Sequence, residues 1–309
     1  METQTKQTHV LNNGVEIPAI AFGPGSFEGW IDFTAFNGWP CAAGLNRWGK
    51  RIQMYRKRRD ALALMRRAFR AGVRLVDYAH TYKDEWIITE AMRREGIDRS
   101  RVFLTSRASN RDLYQGRVYE SCKASLAAMR TDYLDLYMFH WPVPGHFIKA
   151  YKDLERLYRE GLIRTIGVCN CNRHHLEDIL EQCEIPPAIN EFEVHPLFTQ
   201  EPLVEFCLQH GIRVEAYTSL ARNDDRLRNE KVLKSLAAKY GKSHAQIILK
   251  WHIQRGIIPI FRSRNAARIK ANLNLWDFEL TPDEVQAVSG LNLNSRLRYD
   301  PDRSDLSRL

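Results

Sequence analysis

No stretch of this 309-residue chain approaches the ~18 consecutive apolar residues that a membrane-spanning helix needs. The opening Met-Glu-Thr-Gln-Thr-Lys is polar and lacks the apolar segment of a secretory signal, so a cytoplasmic location is expected. Cysteine is sparse: Cys41, Cys122, Cys169, Cys171, Cys183 and Cys207 are scattered, which excludes a disulfide framework in a chain this long. Cys169-Asn-Cys171 is not a C-x-x-C pair and has no second pair at zinc-site spacing, so no metal is expected. Gly23-Pro-Gly25 lacks the third glycine of a dinucleotide loop. Acidic residues are outnumbered, 37 against 46 basic ones, and the net charge of +9 suits an anionic ligand. The densest basic run, Lys50–Arg59, carries no helix-turn-helix, zinc-finger or RNA-binding signature around it. It reads as a solvated helix face or the rim of an anion site, with no nucleic-acid partner.

What is present is an ordinary globular composition, 44% hydrophobic and 27% charged, on a chain long enough to bury a large core. Residues 8–20 alternate around Asn12-Asn13-Gly14, a turn signal between two short strands. A short strand at 19–22 and a helix at 60–72 follow. Apolar runs at 73–76, 102–105, 133–139, 163–168, 188–194, 212–216 and 257–261 then each precede an amphipathic stretch, near 84–95, 115–130, 148–160, 173–182, 200–210, 230–240 and 265–272. Such alternation implies a parallel sheet with helical crossovers. Eight units over about 260 residues predict an α/β fold, a (β/α)8 TIM barrel preceded by a β-hairpin, as a single domain over 1–309.

A barrel of this kind works at the C-terminal ends of its strands. Asp77, Arg107, His140, Asn170 and Tyr217 all fall at such ends. One segment does not fit a minimal barrel: residues 25–57 form an insertion in the first β-α connection, on the catalytic face. It is rich in aromatics, among them Phe27, Trp30, Trp39 and Trp48. Loops beyond ~12–15 residues tend to be functional, and this one is expected either to roof the pocket or to pack as a satellite cluster.

The motifs at these positions resemble those of the aldo-keto reductases, from about residue 8 to residue 295 outside the insertion. That family surrounds a substrate carbonyl with aspartate, tyrosine, lysine and histidine. Asp77 and Tyr82, five residues apart in Arg74-Leu-Val-Asp-Tyr-Ala-His-Thr-Tyr82, match the first two; His140 in Phe139-His-Trp-Pro142 matches the last. Arg107 stands at the lysine position. The chemistry needs such a set because hydride addition creates an alkoxide that must be protonated, and tyrosine, with a reference pKa of about 10, needs a neighbouring cation to act as the acid. Arginine keeps the charge but never gives up its proton, so slowed reductase chemistry is expected.

The resemblance further implies NADP(H). Ile257-Ile-Pro-Ile-Phe-Arg262-Ser263, with Arg268 and Asn272, is similar to the family's adenosine 2′-phosphate motif, and Arg264 adds a cation. Gly23 at the pocket turn, Asn170 in Gly167-Val-Cys-Asn170, Glu191 in an Asn-Glu pair where the family has Asn-Gln, the stacking Tyr217 and Leu220 complete the expected cofactor set. Trp30, Ser109 and Trp141 are the expected substrate contacts. The implied activity is NADP(H)-dependent reduction of an aldehyde or ketone, of a bulky small molecule, with Tyr82 as general acid. A non-redox enzyme (dehydratase, isomerase or cyclase) and a catalytically silent NADP(H)-binding protein remain alternatives on the same scaffold.

Overall fold

The computed structural model describes residues 8–25 and 42–308. A hairpin, β1 (Thr8–Val10) and β2 (Glu16–Pro18), turns at Asn12–Gly14 and pairs antiparallel. Eight parallel strands follow: β3 (Ala21–Phe22), β4 (Leu75–Asp77), β5 (Phe103–Ala108), β6 (Leu136–Phe139), β7 (Gly167–Cys169), β8 (Ile189–Glu193), β9 (Arg213–Tyr217) and β10 (Ile258–Phe261). Their order runs β6-β5-β4-β3-β10-β9-β8-β7. Parallel bridges Leu134–Ile163 and Tyr137–Ile166 join β6 to the approach to β7, so the sheet closes. The expected barrel and hairpin are both present.

Period-two alternation divides the strand residues between two cores. One set faces the helices, among them Val76, Leu104, Phe139, Val168 and Val214. The other faces inward: Leu75, Phe103, Leu136, Ile189 and Ile258, plugged at the bottom by Leu11 and Ile17 of the hairpin. Towards the C-terminal ends the inward positions change from apolar to charged, at Asp77, Arg107, Glu191 and Glu215, all buried. That change of chemistry along one face marks where the site lies.

Three elements depart from the sequence expectation. The helix expected at 60–72 begins at 42 and runs Ala42–Ala71, so the second half of the 25–57 insertion is helical and carries the basic run Lys50–Arg59. Arg58 in that run pairs with Asp84, 2.7 Å away and two residues after Tyr82. Residues 26–41, with Trp30, lie outside the described residues. The crossover after β9 holds a second helix, His244–Gln254, beyond the expected one at Lys231–Tyr240. It is the more buried of the two because Ile247, Ile248, Leu249, Trp251 and Ile253 face the core. Its start was written in the sequence as Ser243-x-x-Gln246, a capping box; a second box, Thr281-x-x-Glu284, opens the helix Pro282–Ser289. No helix among the described residues is long and apolar enough to cross a membrane.

Candidate active site

The C-terminal ends of the strands surround a cavity of about 530 Å³. Asp77, Tyr82, Arg107, His140, Trp141, Asn170, Glu191, Tyr217, Leu220 and Arg262 line it, together with Gly23. Residues from all eight strands or their following loops thus meet in one space, as the strand-end argument expected.

Arg107 sits at its floor, and its guanidinium is spent on neighbours inside the barrel. Nη2 donates to Asp77 Oδ1, and Nη1 donates to Glu191 Oε1 at 2.6 Å. Nε faces the Tyr78 carbonyl at 3.3 Å, and Cys169 Sγ lies 3.7 Å from Nη1. The partners are placed by register: Cys169, Glu191 and Glu215 occupy one row across β7, β8 and β9. Both Glu215 oxygens and Glu191 Oε2 are buried without a hydrogen-bond partner among the described residues. Two carboxyl groups therefore share one cation, and a third, Glu215, lies beside them without a partner. Desolvation pushes Asp77 up to about 8, opposed by Arg107 and assisted by Glu191. Burial, with Glu191 and Asp77 nearby, pushes Glu215 well above the carboxylate range.

Tyr82 packs edge-on against Tyr78, their ring centroids 5.4 Å apart. Its hydroxyl has no hydrogen-bond partner among the described residues. Desolvation raises its pKa, and Arg107 offsets only part of that because Asp77 and Glu191 act in the opposite sense. His140 is held neutral, lowered to about 3 by desolvation first and then by Arg107 and Arg298. A neutral imidazole can donate one N–H to a carbonyl oxygen but cannot deliver a second proton from a charged state.

On the opposite wall Asn170 adopts a left-handed conformation (φ 61°), which asparagine tolerates. Its Nδ2 donates to the His140 carbonyl at 2.9 Å and its Oδ1 accepts from the Tyr217 hydroxyl at 2.5 Å. The Tyr217 ring is thereby fixed in the cavity wall. A Cβ at Gly23 would fall 2.8 Å from Ile260 Cγ2, so only glycine keeps that wall open. Past Tyr217, Thr218, Ala221, Arg222 and Asn223 all have positive φ, and Ser219 Oγ ties the loop to the Ile260 carbonyl at 2.6 Å. Arg262 packs over Gly25 at the mouth. Ser263, Arg264 and Arg268 continue from it at the exposed start of the helix Ala266–Leu273, with Asn272 buried one turn beyond Arg268. Arg262, Arg264 and Arg268 have no carboxylate partner among the described residues, so their charge is available to an anion at a helix N-terminus.

Two expected substrate contacts part company. Trp141 lines the cavity. Ser109 does not: its hydroxyl donates to Asp112 Oδ2 at 2.6 Å and accepts from the Asp112 backbone, capping the helix Asn110–Tyr114. The Ser109-x-x-Asp112 spacing already carried that signal.

Sequence reasoning missed the C-terminal tail. Glu193 accepts from the backbone N–H groups of Leu297 (2.7 Å) and Arg298 (3.0 Å), Tyr299 meets Trp141 edge-on, and Asn110 holds the Leu306 carbonyl at 2.8 Å. Asn172 donates to Asp302 at 2.6 Å. The tail thus crosses the catalytic face and brings Arg298 to the cavity. Arg222 was also missed. The available signal for the tail was Glu193 itself, a carboxylate in an otherwise buried strand end.

Comparison with known proteins fits this geometry. A profile described as the Aldo/keto reductase family matches residues 42–293. A glyoxal reductase of Bacillus subtilis (strain 168) is 34% identical over 302 residues, spanning 98% of this chain and 99% of that protein. Methylglyoxal reductase DkgA of Escherichia coli (strain K12) is 36% identical over 246 residues, 79% of this chain and 89% of that protein. The crystal structure of a Bombyx mori aldo-keto reductase in complex with NADP aligns at a TM-score of 0.79 with 31% identity, covering 97% of both chains.

Proposed function

Because the chain belongs to the aldo/keto reductase family, we propose that it is an NADP(H)-dependent reductase of aldehydes or ketones, with Tyr82 as general acid and a turnover slowed by Arg107. The observation that carries this reading is the convergence of Asp77, Tyr82, Arg107 and His140 on one strand-end cavity. When bound, the nicotinamide supplies the hydride. Gly23, Asn170, Tyr217 and Leu220 form the wall against which its ring would lie, and Arg262, Ser263, Arg264, Arg268 and Asn272 would hold the adenosine 2′-phosphate. The neutral His140 orients the substrate carbonyl oxygen. Tyr82 passes its proton to that oxygen as negative charge builds there, and the tyrosinate left behind is stabilised by Arg107. Arg107 is already shared between two carboxyl groups, which is the physical basis for slow turnover.

The aromatic segment around Trp30 favours a bulky substrate, while the names of the relatives point to glyoxal and methylglyoxal; a test panel needs both. Purified protein is mixed with NADPH and the panel, and absorbance loss is followed for the wild type and Arg107→Lys. Wild-type turnover that rises in Arg107→Lys is expected. A wild type that binds NADPH, stays inert and gains turnover only as Arg107→Lys would favour the silent or non-redox alternative. Failure to bind NADPH would sink the proposal.

The cofactor half has its own expected result. Arg262→Ala combined with Arg268→Ala removes charge-assisted hydrogen bonds worth about 1.5–3 kcal/mol each. NADPH affinity should fall by roughly a hundredfold to ten thousandfold, with NADH affinity nearly unchanged, as read by fluorescence titration. Equal losses for both nucleotides would move the phosphate site elsewhere.

A further inference from the structure

The turn that carries Tyr82 is held in an unfavourable backbone conformation. Lys83 has φ 54° and ψ 175°, near a region that essentially only glycine populates, and Asp84 follows with φ 55°. Two consecutive non-glycine residues of this kind persist only where their surroundings hold them. From within the loop, the Tyr78 hydroxyl donates to the Lys83 carbonyl at 2.6 Å, and His80 Nδ1 lies 3.0 Å from Glu85 Oε2. From the barrel, the Ser106 and Ser125 hydroxyls donate to Glu85 Oε1 at 2.7 and 3.1 Å. A further hold comes from the helix Ala42–Ala71. Arg58 Nε donates to Asp84 Oδ2 at 3.0 Å, and Arg58 Nη2 lies 2.7 Å from Oδ1, which also accepts from Trp86 Nε1 at 3.0 Å. The Asp84 side chain is only 6% exposed, so this carboxylate is gripped on the buried side of the pair.

We propose that Arg58 is a positioning residue for the reaction: its two-point pairing with Asp84 clamps the strained turn, so that the long helix of the first β-α connection sets where Tyr82 points. The proposal rests on Tyr82 being the general acid. A bidentate carboxylate pair fixes direction as well as distance, and the residue it fixes is the next but one after Tyr82. Without the clamp the turn relaxes towards ordinary φ, and the Tyr82 hydroxyl leaves its place in the cavity beside Arg107 and His140. The same helix supplies its own comparison. Arg66 and Arg70 each pair with Glu95 at 2.6 Å, at the far end of the helix Trp86–Arg94. Arginine and carboxylate thus join the two helices twice, once beside Tyr82 and once a helix length away. Only the first of these joints touches the turn.

The test is kcat and KM for reduction of methylglyoxal by NADPH, with hydrogen exchange of the peptide spanning 79–86 in the protein alone. Arg58→Met, which keeps the aliphatic stem, should lower kcat by about tenfold to a hundredfold, the cost of a displacement of roughly 1 Å, and leave both KM values within about twofold. Its 79–86 peptide should exchange faster than in the wild type. Asp84→Asn, which breaks the pair from the other side, should show the same split, and Arg58→Lys should recover part of the loss. Arg66→Met should leave kcat and the exchange of 79–86 unchanged. In a Tyr82→Phe background, Arg58→Met should cause no further loss. An unchanged kcat or unchanged exchange in Arg58→Met overturns the proposal. An equal loss in Arg66→Met, or a loss that multiplies in the Tyr82→Phe background, also overturns it, because the effect would then not pass through Tyr82. Should Tyr82→Phe match the wild type, the general-acid reading itself fails instead.

Discussion

Tyr82→Phe should lower the turnover of carbonyl reduction by between about a hundredfold and ten thousandfold, the usual worth of a positioned proton donor, while NADPH still binds. The expectation follows from what else the cavity offers. His140 is neutral, with its pKa held at about 3, so its N–H can polarise the oxygen without releasing a proton readily. Arg107 is permanently charged, and its donors are engaged by Asp77, Glu191 and the Tyr78 carbonyl. Phenylalanine keeps the ring packed edge-on against Tyr78, so the fold should be undisturbed and the loss should appear in kcat. A variant within about threefold of the wild type would place the proton donor elsewhere.

The second large effect concerns stability. Arg107→Met removes the one cation shared by Asp77 and Glu191, both buried. Breaking a buried pair from one side costs about 3–5 kcal/mol, which for a chain of this size is roughly 6–15 °C in the melting temperature. The sign of its pH dependence can be stated. Burial pushes Asp77 up to about 8 in the folded state, well above the ordinary 3.8, so the folded state already holds its proton across neutral pH. Removing Arg107 strengthens that preference, because its positive charge favoured ionisation. Folded Arg107→Met therefore binds protons that the unfolded chain has released, and its deficit should widen as pH rises from 6 to 9. Calorimetry at pH 6 and pH 9 measures both numbers. Arg107→Lys, which keeps the charge, should lose much less. Melting temperatures equal to wild type for Arg107→Met would mean that the pairs to Asp77 and Glu191 contribute nothing.

Much of this site was legible in the chain before its folding was considered. Strands buried on both faces read as apolar runs, and the residue that ends such a run in a parallel barrel projects into the catalytic mouth; Asp77, His140, Asn170 and Tyr217 were placed that way. Arg107 was identified as the odd residue because it stands where the family that the chain resembles carries lysine. Its pairing with Asp77 was expected from the sequence; what could not be read was the rest of its company. Glu191 lies 84 residues further on, and only the closed barrel with its register brings the two into one row of contacts. Glu215 was hidden inside a run taken as plain strand, since a carboxyl that stays protonated looks like any other glutamate in a sequence. The tail failed differently: its contacts with Glu193, Trp141 and Asn110 are made by backbone and ring edges, which leave no periodic pattern. Ser109 shows the opposite error, because local spacing to Asp112 decided its role and the pocket did not.

The most direct test of the account is whether hydride leaves the cofactor for the substrate on this protein. NADPH deuterated at the transferable C4 position is incubated with methylglyoxal and stoichiometric enzyme, and the alcohol product is examined by mass spectrometry. Arginine in place of lysine predicts slow turnover with one deuterium per product molecule on the former carbonyl carbon, and a transfer at least about a hundredfold slower in Tyr82→Phe. Tight NADPH binding with no deuterium in any product, across the whole carbonyl panel, would contradict it.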